Sequence, residues 1–469
     1  MNTKTRLLIT AWIVPGLLIL QAASLTAGGS GKDGHGSALS DEAIPLQIDT
    51  MPARPKPLLE WGEPFLGTGT LSAGFELPTG AVWQPSLLAF GSFRTAVQSN
   101  GFDPVFGDAR TTEAVARLDL FANLQLSGSE RLVLGFRNLD QDNRFTSYVF
   151  DSDIPGLEDG SQEEFNAEIG SLFFEGDIGE IFPNISPNDF LPTDIGFSVG
   201  RQPLFFQEGM LINDIIDGIG FTLNSMQPRN TSNLRTTLFF GWNEVNRFNI
   251  PRDSGRLVAL LTSVDMTATT MDIDATYLEG ENGQEDAFNF GISAVQRLGL
   301  INTSFRLLAS LVDTAGERTE GFLAFSEVSW TPHYTHDLVY ITNFWVMDTY
   351  AAAASGPGTG GPLGRAGINF AAVGLGNYGA PLSSAASDVA GGAVGYQKFF
   401  DHTRQQLIVE LGARVGTADE IPDQFGLTGR YQIALGRRYV IVTDAFANHG
   451  EAYDEDLFFG GRIELQVRL

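Results

Sequence analysis

From about Thr70 to Leu469, apolar and polar side chains alternate in runs of about ten residues. The pattern is sharpest over residues 459–469. Phe459, Gly461, Ile463, Leu465, Val467 and Leu469 fall on one face, and Gly460, Arg462, Glu464, Gln466 and Arg468 on the other. A helix would bring Ile463, Gln466 and Val467 together and mix the two classes, whereas a strand keeps them apart. The same two-residue period runs through residues 117–126, 234–243, 301–311 and 406–415. Strands of about ten residues with one apolar and one polar face suit a tilted strand that crosses a bilayer. The period predicts strands over residues 83–94, 115–126, 131–140, 167–176, 194–202, 217–225, 234–243, 256–263, 268–278, 287–297, 301–312, 320–331, 337–348, 388–399, 405–415, 426–436, 438–448 and 457–469. Residues 70–77 are a further strand candidate, and 367–376 read as strand or loop. The fold class is therefore all-β: a transmembrane antiparallel barrel of about 18 strands, with a range of 16–20 and a short N-terminal extension.

The connections sort the same way. Counting back from the last strand, residues 436–438, 400–405, 332–336, 298–300 and 127–130 are short turns at one end, which is expected to be periplasmic. Residues 98–114, 141–166, 244–255, 279–286, 350–387 and 448–456 are long polar loops at the other. Segment 177–193 is long for the short-turn side, and 227–233 is intermediate. Aromatic rings cluster near strand ends, as amphipathic rings do at a bilayer interface: Trp61, Trp83, Trp242, Trp330, Trp345, Tyr334, Tyr340, Tyr439 and Tyr453. Two segments, 202–217 and 350–387, are candidates to fold inward and narrow a pore.

Three regions follow along the chain. Residues 1–27 read as a secretory signal: Lys4 and Arg6 precede an apolar stretch over 7–20, and small residues follow. Residues 28–66, Gly/Ser-rich and then Pro-rich, read as a disordered periplasmic leader with a short docked segment around residues 58–61. Residues 67–469 form the barrel. There is no Cys, which removes disulfides, thiolate metal sites and Cys nucleophiles. A formal charge of −27 argues against nucleic acid as a partner. Arg supplies nearly all the positive charge, since beyond the signal Lys occurs only at Lys32, Lys56 and Lys398.

The candidate chemistry lies on the polar face. By parity Arg117, Arg235, Arg306, Arg414, Arg430 and Arg462 point away from the apolar stripe and line the lumen of a barrel. Guanidinium groups bind carboxylates in bidentate fashion, so free lumen arginines would offer a path to anions. Paired with lumen acids such as Asp119, Glu327, Glu410 and Glu464, they would instead form a structural ladder. The Gly200-Arg201-Gln202 run, followed by PLFFQEGMLINDIIDGIG, resembles the alginate-export family of outer-membrane barrels. The resemblance implies an 18-stranded barrel with an Arg-rich lumen that passes an acidic polysaccharide or another anion, and it places Arg201 in the lumen or at its rim. The chain departs from the usual pattern in ending on Leu469 rather than an aromatic residue, and in its acidic loops. Those loops, with Asp151, Glu158, Glu163, Glu279, Glu285, Glu451 and Asp456, would screen anions at the entrance, which favours a weakly selective pore or cation traffic as a competing reading.

His333 and His336 beside Asp337 lack a third ligand for a metal, and no Ser/His/Asp grouping stands out. The expectation is a non-enzymatic porin in the outer membrane of a Gram-negative cell, with no cofactor, metal or catalytic residue. Its expected partners are outer-membrane lipid and lipopolysaccharide, the barrel assembly machinery, and a polar or anionic solute. The alternatives are a barrel that sheathes a multihaem electron-transfer partner, or an outer-membrane enzyme with a dispersed site.

Overall fold

In the computed structural model, the described residues are 56–62, 73–101, 109–141, 144–185, 194–248, 255–280, 286–312, 320–451 and 456–469. The signal reading, most of the leader and Tyr453 lie outside them.

Eighteen antiparallel strands form a closed barrel. They are β1 Ser86–Asn100, β2 Thr111–Gln125, β3 Arg131–Arg137, β4 Ile169–Asp177, β5 Ile195–Phe206, β6 Ile212–Met226, β7 Asn233–Asn243, β8 Arg256–Asp265 and β9 Thr269–Glu279. The remainder are β10 Ala287–Leu298, β11 Ile301–Val312, β12 Gly321–Trp330, β13 Leu338–Met347, β14 Val389–Phe400, β15 Gln405–Gly416, β16 Gln424–Leu435, β17 Tyr439–His449 and β18 Leu457–Arg468. Each pairs with its neighbours in sequence, and β18 closes on β1 from Gly460↔Asn100 to Arg468↔Ser92. Closure leaves no open edge, so the backbone groups of the wall satisfy one another.

The period-2 pattern sorts the side chains as expected. Leu411 (61 % exposed), Ile463 (62 %) and Phe459 (61 %) project from the outer surface, while Glu410 and Glu464, one residue away, are fully buried inside. Trp61, Trp242, Trp345 and Tyr439 are exposed near the strand ends. Tyr340 is a correction: it faces the lumen, where its hydroxyl donates to Glu410.

Three local features differ from the expected strands. Residues 75–76 and 82–83 make a two-residue hairpin of their own, so the first barrel strand starts at Ser86 rather than 83. Residues 367–376 form no strand. Between β3 and β4 the loop carries extra pairing, with residues 147–152 lengthening the edge beside β2. At the short-turn end, Leu59–Trp61 pairs with β1 (Leu59↔Ala89, Glu60↔Leu88, Trp61↔Leu87), just past the end of β18.

The interior is not an empty polar tube. Strands β5 and β6 run on beyond the end of β4 as a hairpin whose tip, Gln207–Leu211, lies inside the barrel. Its Gln207 reaches Asp274 on β9 (2.7 Å). The 350–387 segment enters from the same end and docks on the hairpin. Ala354–Ser355 pairs in parallel with Ile212–Asn213, and the Tyr350 hydroxyl donates to Met210 O (2.9 Å). Met210, Leu211, Ile212, Leu363, Phe370 and Leu382 pack with inward-facing wall residues Phe239, Leu257, Leu308, Leu323, Phe344 and Val346 into a buried apolar core within the lumen. The inner face of β7–β13 is thus apolar where it meets these segments, because a surface covered by protein needs no polar side chains.

Candidate functional site: the constricted lumen

The lumen is built from two inward segments and the wall they touch. The hairpin tip is a tight turn in which Gln207 (φ 51°), Glu208 (φ 56°) and Gly209 (φ 82°) all adopt the left-handed conformation. This turns Glu208 between two guanidinium groups. Arg306 on β11 contacts one carboxylate oxygen at 2.9 Å, and Arg365 of the long segment contacts the other. One carboxylate therefore ties the hairpin, the wall and the long segment together. Arg306 is nearly fully buried, also donates to Ser304 Oγ (2.8 Å), and leaves its Nε without a partner.

The long segment lies against the wall from β13 round to β2, and polar residues of the wall strands hold it by its backbone or short side chains. Glu410 accepts from Ile368 N (2.9 Å), Asn369 N (2.7 Å) and Asn369 Nδ2 (2.9 Å). Arg94 donates to Val373 O (3.2 Å), Arg117 to Gly374 O (2.7 Å) and Gln98 to Leu375 O (3.0 Å). Glu113 takes Asn377 N (2.6 Å), and Asn448 donates to Pro381 O (2.7 Å). These buried groups answer the segment's own backbone polar atoms, which would otherwise be costly to bury.

Below that contact runs a charge network. Asp444 joins Arg430 (2.7 Å) to Arg462, and Glu464 joins Arg462 (2.5 Å) to Arg94 (2.6 Å). Asp119 joins Arg117 (2.9 Å) to Arg137 (3.2 Å).

The seven expected arginines therefore divide. Arg117, Arg430 and Arg462 belong to this network, with Asp119 and Glu464 among their partners. Arg201 sits at the base of the hairpin, bonded to Asp217 (2.8 Å) and Glu244 (2.9 Å). Arg306 is engaged by Glu208. Arg414 is buried and donates to Ala385 O (3.3 Å), holding the long segment. Only Arg235 is exposed inside the barrel with no acidic partner among the described residues, on the wall of an open chamber. Glu410 anchors the long segment's backbone and forms no arginine pair among the described residues. The Gly-Arg-Gln run has a local cause as well. Gly200 has φ +123°, and a Cβ there would lie 2.2 Å from Leu172 O, so only glycine lets β5 pass β4 at this point.

The chamber has a volume of about 1520 Å³ and extends from the hairpin tip to Ser129 and Pro183 at the short-turn rim. The sequence reading missed it and the residues that set its charge. Asp177, Glu180, Asp194, Asp272 and Asp274 line it together with Arg235, and the alternation of β9 was the available signal for Asp272 and Asp274.

Neither a protein-family model nor a curated protein matches the sequence. Solved porin structures do match. A BenF-like porin from Pseudomonas fluorescens Pf-5 aligns with a TM-score of 0.55 at 10 % identity, over 82 % of this chain and 98 % of that one. Pseudomonas aeruginosa OpdK, solved with vanillate, aligns at 0.53 and 10 % identity (81 % and 98 % covered). Pseudomonas aeruginosa OccK5 (OpdH) aligns at 0.51 and 9 % identity (82 % and 98 %). The chain has the 18-stranded porin fold. These matches support a porin-like barrel and not the alginate-export family in particular.

Proposed function

We propose that the protein is a passive channel in the outer membrane of a Gram-negative bacterium, exported by its N-terminal signal and admitting small polar solutes without catalysis or cofactor. The observation that carries this reading is a closed barrel with an apolar outer wall and a lumen narrowed by two of its own segments. A water-soluble barrel would have no use for a continuous belt of exposed Leu, Ile and Phe. Lipid and lipopolysaccharide are then its surroundings, and the barrel assembly machinery inserts it.

Preference for an anion, as in export of an acidic polysaccharide, would draw on the arginines. Their support is limited by their pairing: an anion reaches Arg306 and Arg365 only by displacing Glu208. A sheath for a haem protein is disfavoured because the inward segments occupy the space such a partner would need.

In planar bilayers the purified protein should give discrete conductance steps, and vesicles containing it should swell in solutions of small sugars. A protein that inserts yet yields neither is not a channel. Leu411→Arg, on the outer wall at mid-strand, should cost about 2–4 kcal/mol of folding stability in lipid. The test is a urea titration in vesicles, and an unchanged midpoint would place Leu411 away from lipid.

A further inference from the structure

The open chamber has a charge that the arginine ladder conceals. Of the carboxylates lining it, Glu175 is paired with Arg131 (2.5 Å) and Glu208 with Arg306 (2.9 Å). Asp177, Glu180, Asp194, Asp272 and Asp274 have no cationic partner among the described residues. Asp177 accepts backbone N–H groups, Glu180 a Ser129 hydroxyl (2.9 Å), Asp272 a Ser293 hydroxyl (3.1 Å), and Asp274 the Gln207 amide (2.7 Å). Against these five stand Arg235, which has no acidic partner among the described residues, and the one positive charge left over where Arg306 and Arg365 share Glu208.

A second observation lies at the hairpin tip. Gln207 is 5 % exposed and lines the chamber, and its amide Oε1 has no hydrogen-bond partner among the described residues while its Nε2 donates to Asp274 (2.7 Å). A buried amide oxygen left this way is satisfied by an N–H donor from the chamber. No three acids of the described residues converge closely enough to ligate a metal ion, so the acids act through their field and not as a chelate.

Resting on the channel reading above, we propose that this chamber selects cationic solutes, of the amine or guanidinium class, over anions. Its volume corresponds to a sphere of about 7 Å radius, within the screening length of about 8 Å at physiological salt. A cation near its centre therefore lies within a screening length of the lining carboxylates, and the low-dielectric barrel wall concentrates their field along the lumen. The arginines of the opposite wall contribute less: Arg94, Arg430 and Arg462 share Asp444 and Glu464, which leaves one net positive charge in that cluster.

The test is the reversal potential of single channels under a KCl gradient, repeated with diaminobutane dihydrochloride. The wild-type channel should favour K⁺ over Cl⁻ several-fold and carry the diamine. Asp194→Asn with Asp272→Asn should move the ratio towards one, Arg235→Gln should raise it, and 1 M salt should flatten all three by screening. Arg235→Gln removes a group without a partner, so it keeps the test alive if the double variant fails to fold. A wild-type ratio at or below one, or a ratio that the charge variants leave in place, overturns the proposal while the conductance steps still stand. Absence of any steps would instead reject the channel reading.

Discussion

Excising residues 362–383 and joining Gly361 to Ser384 through two glycines will raise the single-channel conductance several-fold. The junction is feasible because Gly361 N already donates to Ser384 Oγ (2.8 Å) and Leu363 N to Ser384 O (3.0 Å), so the cut ends are neighbours. The excised stretch holds Leu363, Phe370, Leu375 and Leu382, all buried, and covers the wall from Thr342 on β13 to Arg117 on β2. Its removal vacates that half of the lumen and exposes Arg94, Arg117 and Glu410 to water. Loss of the Phe370 and Leu382 contacts will also lower stability, since each large buried side chain contributes about 2–5 kcal/mol when truncated. The excised variant should therefore unfold at lower temperature on a heat-modifiability gel while conducting more. An unchanged conductance would mean that ions already bypass the segment and the constriction lies elsewhere.

Asp444→Ala will destabilise the barrel by about 3–5 kcal/mol, the range for removing one member of a buried charge pair. Asp444 is only 3 % exposed, and it joins Arg430, which is partly open to the lumen, to Arg462, which is not. Without it Arg430 has no ion pair among the described residues and Arg462 keeps only Glu464, which already serves Arg94. A double change that also replaces Arg462 by Met should recover much of the loss, because it removes the stranded charge along with its partner. Urea unfolding in detergent micelles measures both. Equal midpoints for Asp444→Ala and wild type would show that water reaches the network freely and screens it.

The strand count was legible because a wall strand has one apolar and one polar face, and residues 459–469 or 406–415 display that alternation without interruption. The places where it faltered were informative in hindsight. Leu308 on β11 and Phe239 on β7 stand on the polar face by parity, and both pack against the inward segments. An apolar residue at a lumen position marks a wall patch that another part of the same chain covers. Residues 203–216 were expected as a connection that could fold inward between two strands, whereas β5 and β6 continue into it with unbroken pairing from Ile195↔Leu223 to Phe206↔Ile212. Nothing in the residues there distinguishes a strand in the wall from one leaving it, because pairing with β4 simply stops. The arginines could be placed in the lumen from parity alone. Their partners could not, because Asp444 lies on a strand adjacent to Arg430 and Arg462, and such contacts depend on register. Glu410 illustrates the limit most clearly: an acid expected to answer an arginine instead receives three N–H groups from Ile368 and Asn369.

The three-residue pairing of Leu59–Trp61 with β1 means that both termini of the described barrel are stapled to one strand, at adjoining rungs of the same ladder. Arg438 adds a tie by donating to Lys56 O (2.7 Å). A seam sewn at both ends cannot be completed until the final strand has been threaded beside the first. The amides of residues 59–61 should then be the last to gain protection from hydrogen exchange as the cylinder forms, and the first to lose it when it loosens.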